Sequence, residues 1–537
     1  MKSLARKSRG TSARCGQLLA GALLLLALAL SAPAQAGALP ANVVLIQVDD
    51  MARSLLRAKV RQNGRPVPAM PNLLRGVGSR GVELGRFYAS DPICGPSRAS
   101  LLSGRAAHNH GMRINAYPYG YSVWQHSQLY GSNLPVWLQR AGYRTAHIGK
   151  YMNGYGYAPE DEVPPGWERW VTPLRDAGAS YYGSILNIDG RLVDTGSSWH
   201  SRDLPGCEPV FYTKPGACLH STDLFTSFAL KEISQARREG RPFYVQLDYD
   251  APHDDGRLDP GPIPPARLRG LARRVIPNYD LHDVAPGPTA PTFIADQPPL
   301  TPEMKSEIRT RFANEVASLA GVDQGIGRIL GLLKRTGLDK NTYVVFVSDN
   351  GMFHGEHRIA YGKYLPHEPS ARQPLLVRGP DLPAGKVSAS SGSTLDLAPT
   401  VLAMTGVTPP QVMDGRSLLG ELRAPRRVSK VPVLLEGFSG RGPSVPEQFL
   451  DGSGQKRPNQ AVVVNYNGFV AGDWKYIRYW YGQNELYDLK RDPGEMHNLA
   501  TAARMAPVVE WADQVVDRLA MCSGSSCRVP VAPPARP

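Results

Sequence analysis

Residues 42–50 read Asn-Val-Val-Leu-Ile-Gln-Val-Asp-Asp, a nearly unbroken apolar, β-branched run that ends on two adjacent carboxylates. A strand with apolar side chains on both of its faces suits the middle of a parallel sheet covered by helices on either side. Three further segments repeat the design. Residues 343–347 (YVVFV) pass Ser348 into Asp349-Asn350-Gly351, residues 243–247 lead through Asp248 to Ala251-Pro252-His253, and residues 143–148 lead into Gly149-Lys150. The expected fold class is α/β, with a mixed, mostly parallel central sheet flanked by helices. In open sheets of this kind ligands sit beyond the carboxyl ends of the strands. Four polar clusters at four strand ends are therefore expected to converge on one site.

The chemistry of these ends narrows the possibilities. Asp49, Asp50, Asp349 and Asn350 offer oxygen ligands only, a set that suits Ca2+ or Mg2+ rather than zinc or copper. Without a cation, such acids at low dielectric repel one another. Each cluster taken alone also reads as a turn or a helix cap, so the expectation rests on their convergence.

The rest of the chain sets the frame. Its 537 residues are 42% hydrophobic and 20% charged, the balance of a globular protein, and exclude fibres, coiled coils and small disulfide scaffolds. Residues 1–36 read as a secretory signal peptide. Lys2, Arg6, Lys7, Arg9 and Arg14 precede the apolar run 18–30, and Ala34-Gln35-Ala36 forms a small-residue cleavage pattern. The run is short for a membrane span, so no stable membrane insertion is expected, and the mature protein is placed in the periplasm or outside the cell. The formal net charge of +14, less the five leader cations, suits sulfated glycans or acidic surfaces as partners, and no nucleic acid is expected. Five cysteines remain after the leader. Cys207 with Cys218, and Cys522 with Cys527, are spaced to close locally, which leaves Cys94 over.

Cys94 stands in Pro92-Ile93-Cys94-Gly95-Pro96-Ser97-Arg98-Ala99-Ser100-Leu101-Leu102-Ser103-Gly104. Pro96 is placed to start a helix, so Cys94 is expected just before a helix N-terminus, where free N–H groups favour anions, with Arg98 one turn along. This segment resembles the type I sulfatase signature, C-x-P-S-R followed by apolar residues, a hydroxyl residue and Gly. Further stretches resemble the same family: residues 142–151, Asp349-Asn350-Gly351 with Gly355-Glu356-His357 and Gly362-Lys363, residues 374–380, and residues 474–495 with their Trp-Lys-Tyr-Ile and Asp-Pro-Gly-Glu runs. Within the family, residues 104–111 and 149–153 look most like the N-acetylglucosamine-6-sulfatase branch.

The resemblance implies an alkaline-phosphatase-like fold, with a catalytic domain over 37–425 and a C-terminal antiparallel subdomain over 426–521, while the tail over 522–537, rich in Ser and then Pro, is expected to be loose apart from any Cys522–Cys527 bridge. It implies that a formylglycine-generating enzyme converts Cys94 to Cα-formylglycine, whose hydrate attacks sulfur with one hydroxyl and expels sulfate with the other. It assigns Asp49, Asp50, Asp349, Asn350 and the modified Cys94 to a Ca2+ or Mg2+ ion, Arg98 to the hydrate, Lys150 and Lys363 to the sulfate oxygens, and His253 to the leaving alcohol. Two departures stand out. Many relatives carry Lys-x-His, but Met152 occupies that position, leaving Asn153, His147 or a histidine from elsewhere to act, and Ser103 replaces a commoner Thr. His354 and His357 are read equally as site or structural residues.

Residues 252–302, dense in proline, are expected to form a long irregular loop, either a wall of the pocket or a flexible insertion. Tyr117, Tyr119, Tyr121, Trp124 and Tyr130 are candidates either for stacking on sugar rings or for packing a loop onto the body. Residues 303–336 are expected to be helical, with Phe312, Val316, Leu319, Ile326, Ile329, Leu330 and Leu333 at helical spacing toward the core. The functional reading is a secreted sulfuric ester hydrolase acting on a sulfated small molecule or glycan. The alternatives are a phosphodiesterase or phosphonate monoester hydrolase of the same fold, and a non-catalytic protein that binds sulfated glycans.

Overall fold

The computed structural model describes residues 40–116, 120–157, 159–174, 181–195, 220–255, 261–277, 283–439, 464–534 and 536. The expected leader, the Cys207–Cys218 pair, Tyr117 and Tyr119 lie outside them. Eleven strands form the main sheet: β1 (Asn42–Val48), β2 (Val82–Tyr88), β3 (Arg144–Gly149), β4 (Arg169–Pro173), β5 (Ile185–Ile188), β6 (Arg191–Asp194), β7 (Phe243–Asp248), β8 (Thr342–Ser348), β9 (Arg372–Gln373), β10 (Leu375–Arg378) and β11 (Lys386–Ser393). Their spatial order is β9-β2-β10-β8-β1-β7-β3-β4-β5-β6, with β11 beside β2. The central run β8-β1-β7-β3-β4 is parallel, and antiparallel pairs flank it on both sides.

All seven residues of β1 are buried, and their alternation divides two cores. Val43 and Leu45 face Leu101 and Leu102 of helix α1 (Cys94–Ser103). Val44 and Ile46 face Phe225 and Ile233 of α2 (Ser221–Glu239) and Phe312, Val316 and Ile326 of α3 (Pro302–Thr336). Each such side chain stabilises the fold by about 1.5–3 kcal/mol on burial, which is why a run apolar on both faces is confined to the middle of the sheet. The start of α3 follows from its caps: the Thr301 hydroxyl accepts from the Met304 N–H at 3.2 Å, and Pro302 takes the first turn, where its missing N–H costs nothing.

Register brings the strand ends level. Val48 pairs with Ser348, Gln47 with Asp248, and Gly149 with Asp248. Gly149 has φ +109°, and a Cβ there would lie 1.8 Å from the Asp248 carbonyl oxygen, so only glycine lets Lys150 leave β3 so close to β7.

A second, antiparallel sheet runs β12 (Val433–Gly437), β13 (Tyr466–Ala471), β14 (Trp474–Tyr479), β15 (Asn484–Asp488). Phe469, Tyr476 and Leu486 pack on Val508 and Val515 of α4 (Ala506–Leu519). The opposite face, with Tyr466, Ile477, Tyr479 and Tyr487, packs on Phe353, Ile359 and Leu365, in the loop that carries Lys363. Residues 41–537 form one compact unit.

Three expectations need correction. The segment from Cys522 is held by more than the expected Cys522–Cys527 disulfide: the Val531 N–H donates to the Lys430 carbonyl at 2.9 Å, and Arg536 pairs with Asp473 and Asp488. The helix carrying the cysteine begins at Cys94 itself, with Pro96 inside its first turn. The proline-rich stretch contains short turns of helix at Ala266–Leu268, Arg269–Ala272 and Thr292–Ala295, and Val275–Ile276 pairs with Lys59 and Val60.

Candidate active site

The carboxyl ends of β1, β8, β7 and β3 and the first turn of α1 surround one small buried volume. Asp50 lies in the left-handed region at φ 66°, a conformation Asp tolerates better than most residues, and this turns its main chain toward Asp349. Asp349 Oδ1 accepts from the N–H groups of Asp50 at 3.0 Å and Asn350 at 2.8 Å. The Ser97 hydroxyl, on α1, donates to the Asp349 carbonyl at 2.5 Å. Helix and strand end are thus fastened to each other by polar contacts as well as by packing.

Arg98 is 3% exposed. Its Nε and Nη2 reach Asp349 Oδ2 at 3.0 and 2.9 Å, and Nη1 donates to the Lys150 carbonyl at 2.8 Å. Burial alone would lower its pKa, but Asp349, Asp49 and Asp248 outweigh that and raise it. Lys150 Nζ is bonded to Asp49 Oδ2. Lys363 Nζ donates to Asp50 Oδ1 at 2.5 Å and lies 2.8 Å from Cys94 Sγ. The thiol sits 3.5 Å from Asp49 Oδ1 and 3.9 Å from Asp50 Oδ1. Burial and the Asp49 charge push this thiol up to about 12, so it is protonated at neutral pH. Burial alone would raise Asp49, but Lys150, His253 and Arg98 hold it below the usual carboxylate range.

Asn350 Nδ2 donates to Asp50 Oδ1 at 2.6 Å. Its amide oxygen and Asp50 Oδ2 are buried without a hydrogen-bond donor. His253 Nε2 lies 3.5 Å from that same Asp50 Oδ2, and its ring is 22% exposed, so the site meets solvent along this edge. Asp49, Asp50, Cys94 and His253 have ligand atoms that all lie within 4.8 Å of one another.

The other histidines sort by geometry. His147 is fully buried, with its ring nitrogens on Thr172 Oγ1 at 2.8 Å and Asp248 Oδ2 at 3.0 Å and its ring stacked on Trp170. It braces Asp248, which lies 3.9 Å from Arg98. Met152, at the position of the missing histidine, belongs to the core. His354 Nε2 pairs with Glu315 at 2.6 Å, and His357 is buried against the His367 ring and pushed down to about 3. Both rings are buried and contact residues outside the acidic cluster. Tyr121 and Trp124 are core residues, and Tyr130 bonds Glu162.

Several contributors carry no local signal in the sequence. Asn115 Oδ1 accepts from the Gly95 N–H at 2.9 Å, so this N–H of the helix start is already satisfied. Asp250, buried beside Lys150 and Asp49, is pushed up by burial to about 7. Asp254, next to His253, bonds Tyr361. A sequence rule able to find Asp250 and Asp254 would have to read every acid beside the Pro252-His253 turn.

Residues 41–407 match the Sulfatase family. An arylsulfatase of Volvox carteri is 29% identical over 96% of this chain and 79% of its own length. The human N-acetylglucosamine-6-sulfatase is 27% identical over 92% of this chain and 87% of its own. Among solved structures, BT4656 in complex with its substrate D-glucosamine-2-N,6-O-disulfate superposes with a TM-score of 0.64 at 22% identity, covering 89% of this chain and 97% of that one. The mixed α/β fold is thus the one shared with solved sulfatase structures, as expected. The chain belongs to the sulfatase family and is a sulfate ester hydrolase.

Proposed function

We propose that the enzyme removes sulfate from carbohydrate esters, an N-acetylglucosamine 6-sulfate among them, using Cα-formylglycine made from Cys94 and a divalent cation held by Asp49, Asp50, Asp349 and Asn350. The observation that carries this reading is the meeting of Cys94 Sγ with Asp49 at 3.5 Å and Lys363 at 2.8 Å beside the carboxyl ends of four parallel strands. The donor set fits the cation: it is all oxygen, and Asn350 Oδ1 and Asp50 Oδ2 are buried without donors. Ca2+ is the favoured ion and Mg2+ the alternative. Bound there, the cation supplies Lewis-acid polarisation of a sulfate oxygen and favours ionisation of the aldehyde hydrate. The hydrate supplies two hydroxyls on one carbon, one to attack sulfur and one to expel sulfate. A protonated thiol has neither advantage.

The chain's own residues do the rest. Arg98 stays on Asp349 and fixes the helix start against β8. Lys150 and Lys363, which here cover Asp49, Asp50 and the sulfur, turn their N–H donors to the sulfate oxygens, where charge develops in the transition state. His253, on the exposed edge, gives a proton to the departing alcohol. The sugar assignment draws support from the 6-sulfatase relative and from the disulfated glucosamine bound by the structural neighbour. The leader pattern supports export to the periplasm or beyond, with modification by a formylglycine-generating enzyme on the way.

Mass spectrometry of the peptide containing Cys94 tests the centre of this reading. The aldehyde form weighs less than the thiol, and an intact thiol in active, exported enzyme refutes the mechanism. Turnover of N-acetylglucosamine 6-sulfate, lost with EDTA and restored by Ca2+, is the expected activity. Faster turnover of a nitrophenyl phosphodiester than of nitrophenyl sulfate would favour the phosphodiesterase alternative.

A further inference from the structure

Behind His253 lies a chain of contacts that the reaction described above does not use. His253 occupies a turn rather than a helix or strand. Its Nδ1 lies 2.9 Å from the Asp254 carbonyl oxygen and 3.5 Å from Asp254 Oδ1. A carbonyl only accepts, which places a proton on Nδ1 and turns Nε2 toward Asp50 and the site. Asp254 is itself held from the far side: its Oδ2 accepts from the Tyr361 hydroxyl and from Arg311 Nη1 at 3.3 Å. The Arg311 guanidinium lies 3.9 Å over the Tyr361 ring, a cation–π contact that locks the two together.

Arg311 belongs to α3 and is 8% exposed. Glu315, one turn later, holds His354. Gly261 packs so closely on Arg311 that a Cβ there would lie 3.0 Å from the arginine Cγ. The arginine is therefore anchored on the longest helix of the described residues and walled in by the proline-rich stretch. On the other side, the Tyr181 hydroxyl donates to the His253 carbonyl at 2.6 Å.

We infer that Arg311 and Tyr361, acting through Asp254, are positioning residues that aim His253 Nε2 at the leaving oxygen. This rests on the assignment of His253 as proton donor. As the hydrate oxygen bonds to sulfur and the S–O ester bond breaks, the ester oxygen takes that bond's electron pair and the proton from Nε2, while the other proton stays on Nδ1, hydrogen-bonded to the Asp254 carbonyl oxygen, and the imidazolium becomes neutral imidazole. The arrangement matters only where the leaving alcohol needs that proton. A sugar alkoxide does, and a nitrophenolate does not.

Tyr361→Phe, Arg311→Lys and His253→Ala are compared on N-acetylglucosamine 6-sulfate and on 4-nitrophenyl sulfate. General-acid catalysis is worth about 10²–10⁴-fold, and loosening its donor is expected to lose roughly tenfold of that. Tyr361→Phe and Arg311→Lys should thus lower kcat for the sugar sulfate by about tenfold with KM within twofold, and leave nitrophenyl sulfate within twofold of the parent. Equal losses on both substrates, or none on either, for both positioning variants overturn the inference. If His253→Ala itself loses equally on both substrates, the assignment of His253 fails first and takes the inference with it. A His253→Ala split without a Tyr361→Phe or Arg311→Lys split refutes the positioning role alone.

Discussion

Lys475→Met tests whether the second sheet supports the catalytic loop by charge as well as by packing. Lys475, on β14, is fully buried and lies 2.8 Å from Glu368 and 2.6 Å from Glu495, and it donates to the Pro366 carbonyl at 3.0 Å. Burial alone would lower the lysine's pKa, but the two carboxylates reverse this and raise it. Methionine keeps the apolar stem and deletes the charge. Arg372 still pairs with Glu368 at 2.9 Å, so the uncompensated charge falls chiefly on Glu495. Removing one partner of a buried pair costs about 3–5 kcal/mol, and the remaining arginine places this case near the lower end, about 3 kcal/mol. At roughly 2 cal/mol/K per residue, a unit of about 500 residues unfolds with an entropy near 1 kcal/mol/K, so the melting midpoint should fall by about 3 °C. Scanning calorimetry reads that shift, and adding Glu495→Gln should recover at least half of it. A single variant within 1 °C of the parent, or a double variant as low as the single one, refutes the argument.

Two further outcomes follow from the contacts. Arg98→Lys replaces a planar fork that meets Asp349 Oδ2 twice with a point charge, forfeiting at least one charge-assisted hydrogen bond of about 1.5–3 kcal/mol. Steady-state kcat/KM should fall roughly 10- to 150-fold, and retention within twofold refutes the role of the fork. For His108, burial alone would lower the pKa, but the hydrogen bond and charge of Glu436, at 2.7 Å, raise it to about 9 from an ordinary 6.5. A raised folded-state pKa adds stability that is complete below pH 6.5 and lost as pH climbs through about 9. The parent's advantage over His108→Gln in denaturant unfolding, about 3 kcal/mol at pH 6, should vanish by pH 10, and a gap that ignores pH refutes the pairing.

How far the fold was legible depends on the range of the forces that set each element. β1, β7 and β8 are local events: β-branched runs apolar on both faces have one stable place, and the expected limits differ from the observed ones by at most a residue. The long helix was legible for the same reason, with its spacing, its Thr301 cap and its closing Gly337 all lying within the segment. The start of α1 was not. Its Gly95 N–H is satisfied by Asn115, twenty residues on, so the helix opens two residues before the proline that appeared to begin it. The tail likewise reads as loose from its Ser and Pro content, while its order comes from Lys430, Asp473 and Asp488 in other parts of the chain.

The site shows the same division, and its charges explain why its centre could be read while its supports could not. Asp49, Asp50 and Asp349 each end a strand, and parallel register alone brings strand ends together, so their meeting needed no knowledge of side-chain packing. Arg98, Lys150 and Lys363 bring three positive charges against these three negative ones. That balance is what allows such a nest to fold, because three unpaired carboxylates at this depth would cost several kcal/mol each. The proposed divalent cation among these carboxylates would shift the balance toward positive charge and so favour an anion as the second ligand, with Asp248, 3.9 Å from Arg98, offsetting part of that shift. By linkage, the proposed cation and a sulfate ester would strengthen each other's binding by the same factor. The supports, by contrast, are pairs such as Arg311 with Asp254 and Tyr361 with Asp254, 57 and 107 residues apart in the chain. No periodicity or local propensity couples residues at such separations, and only the folded topology brings them within reach.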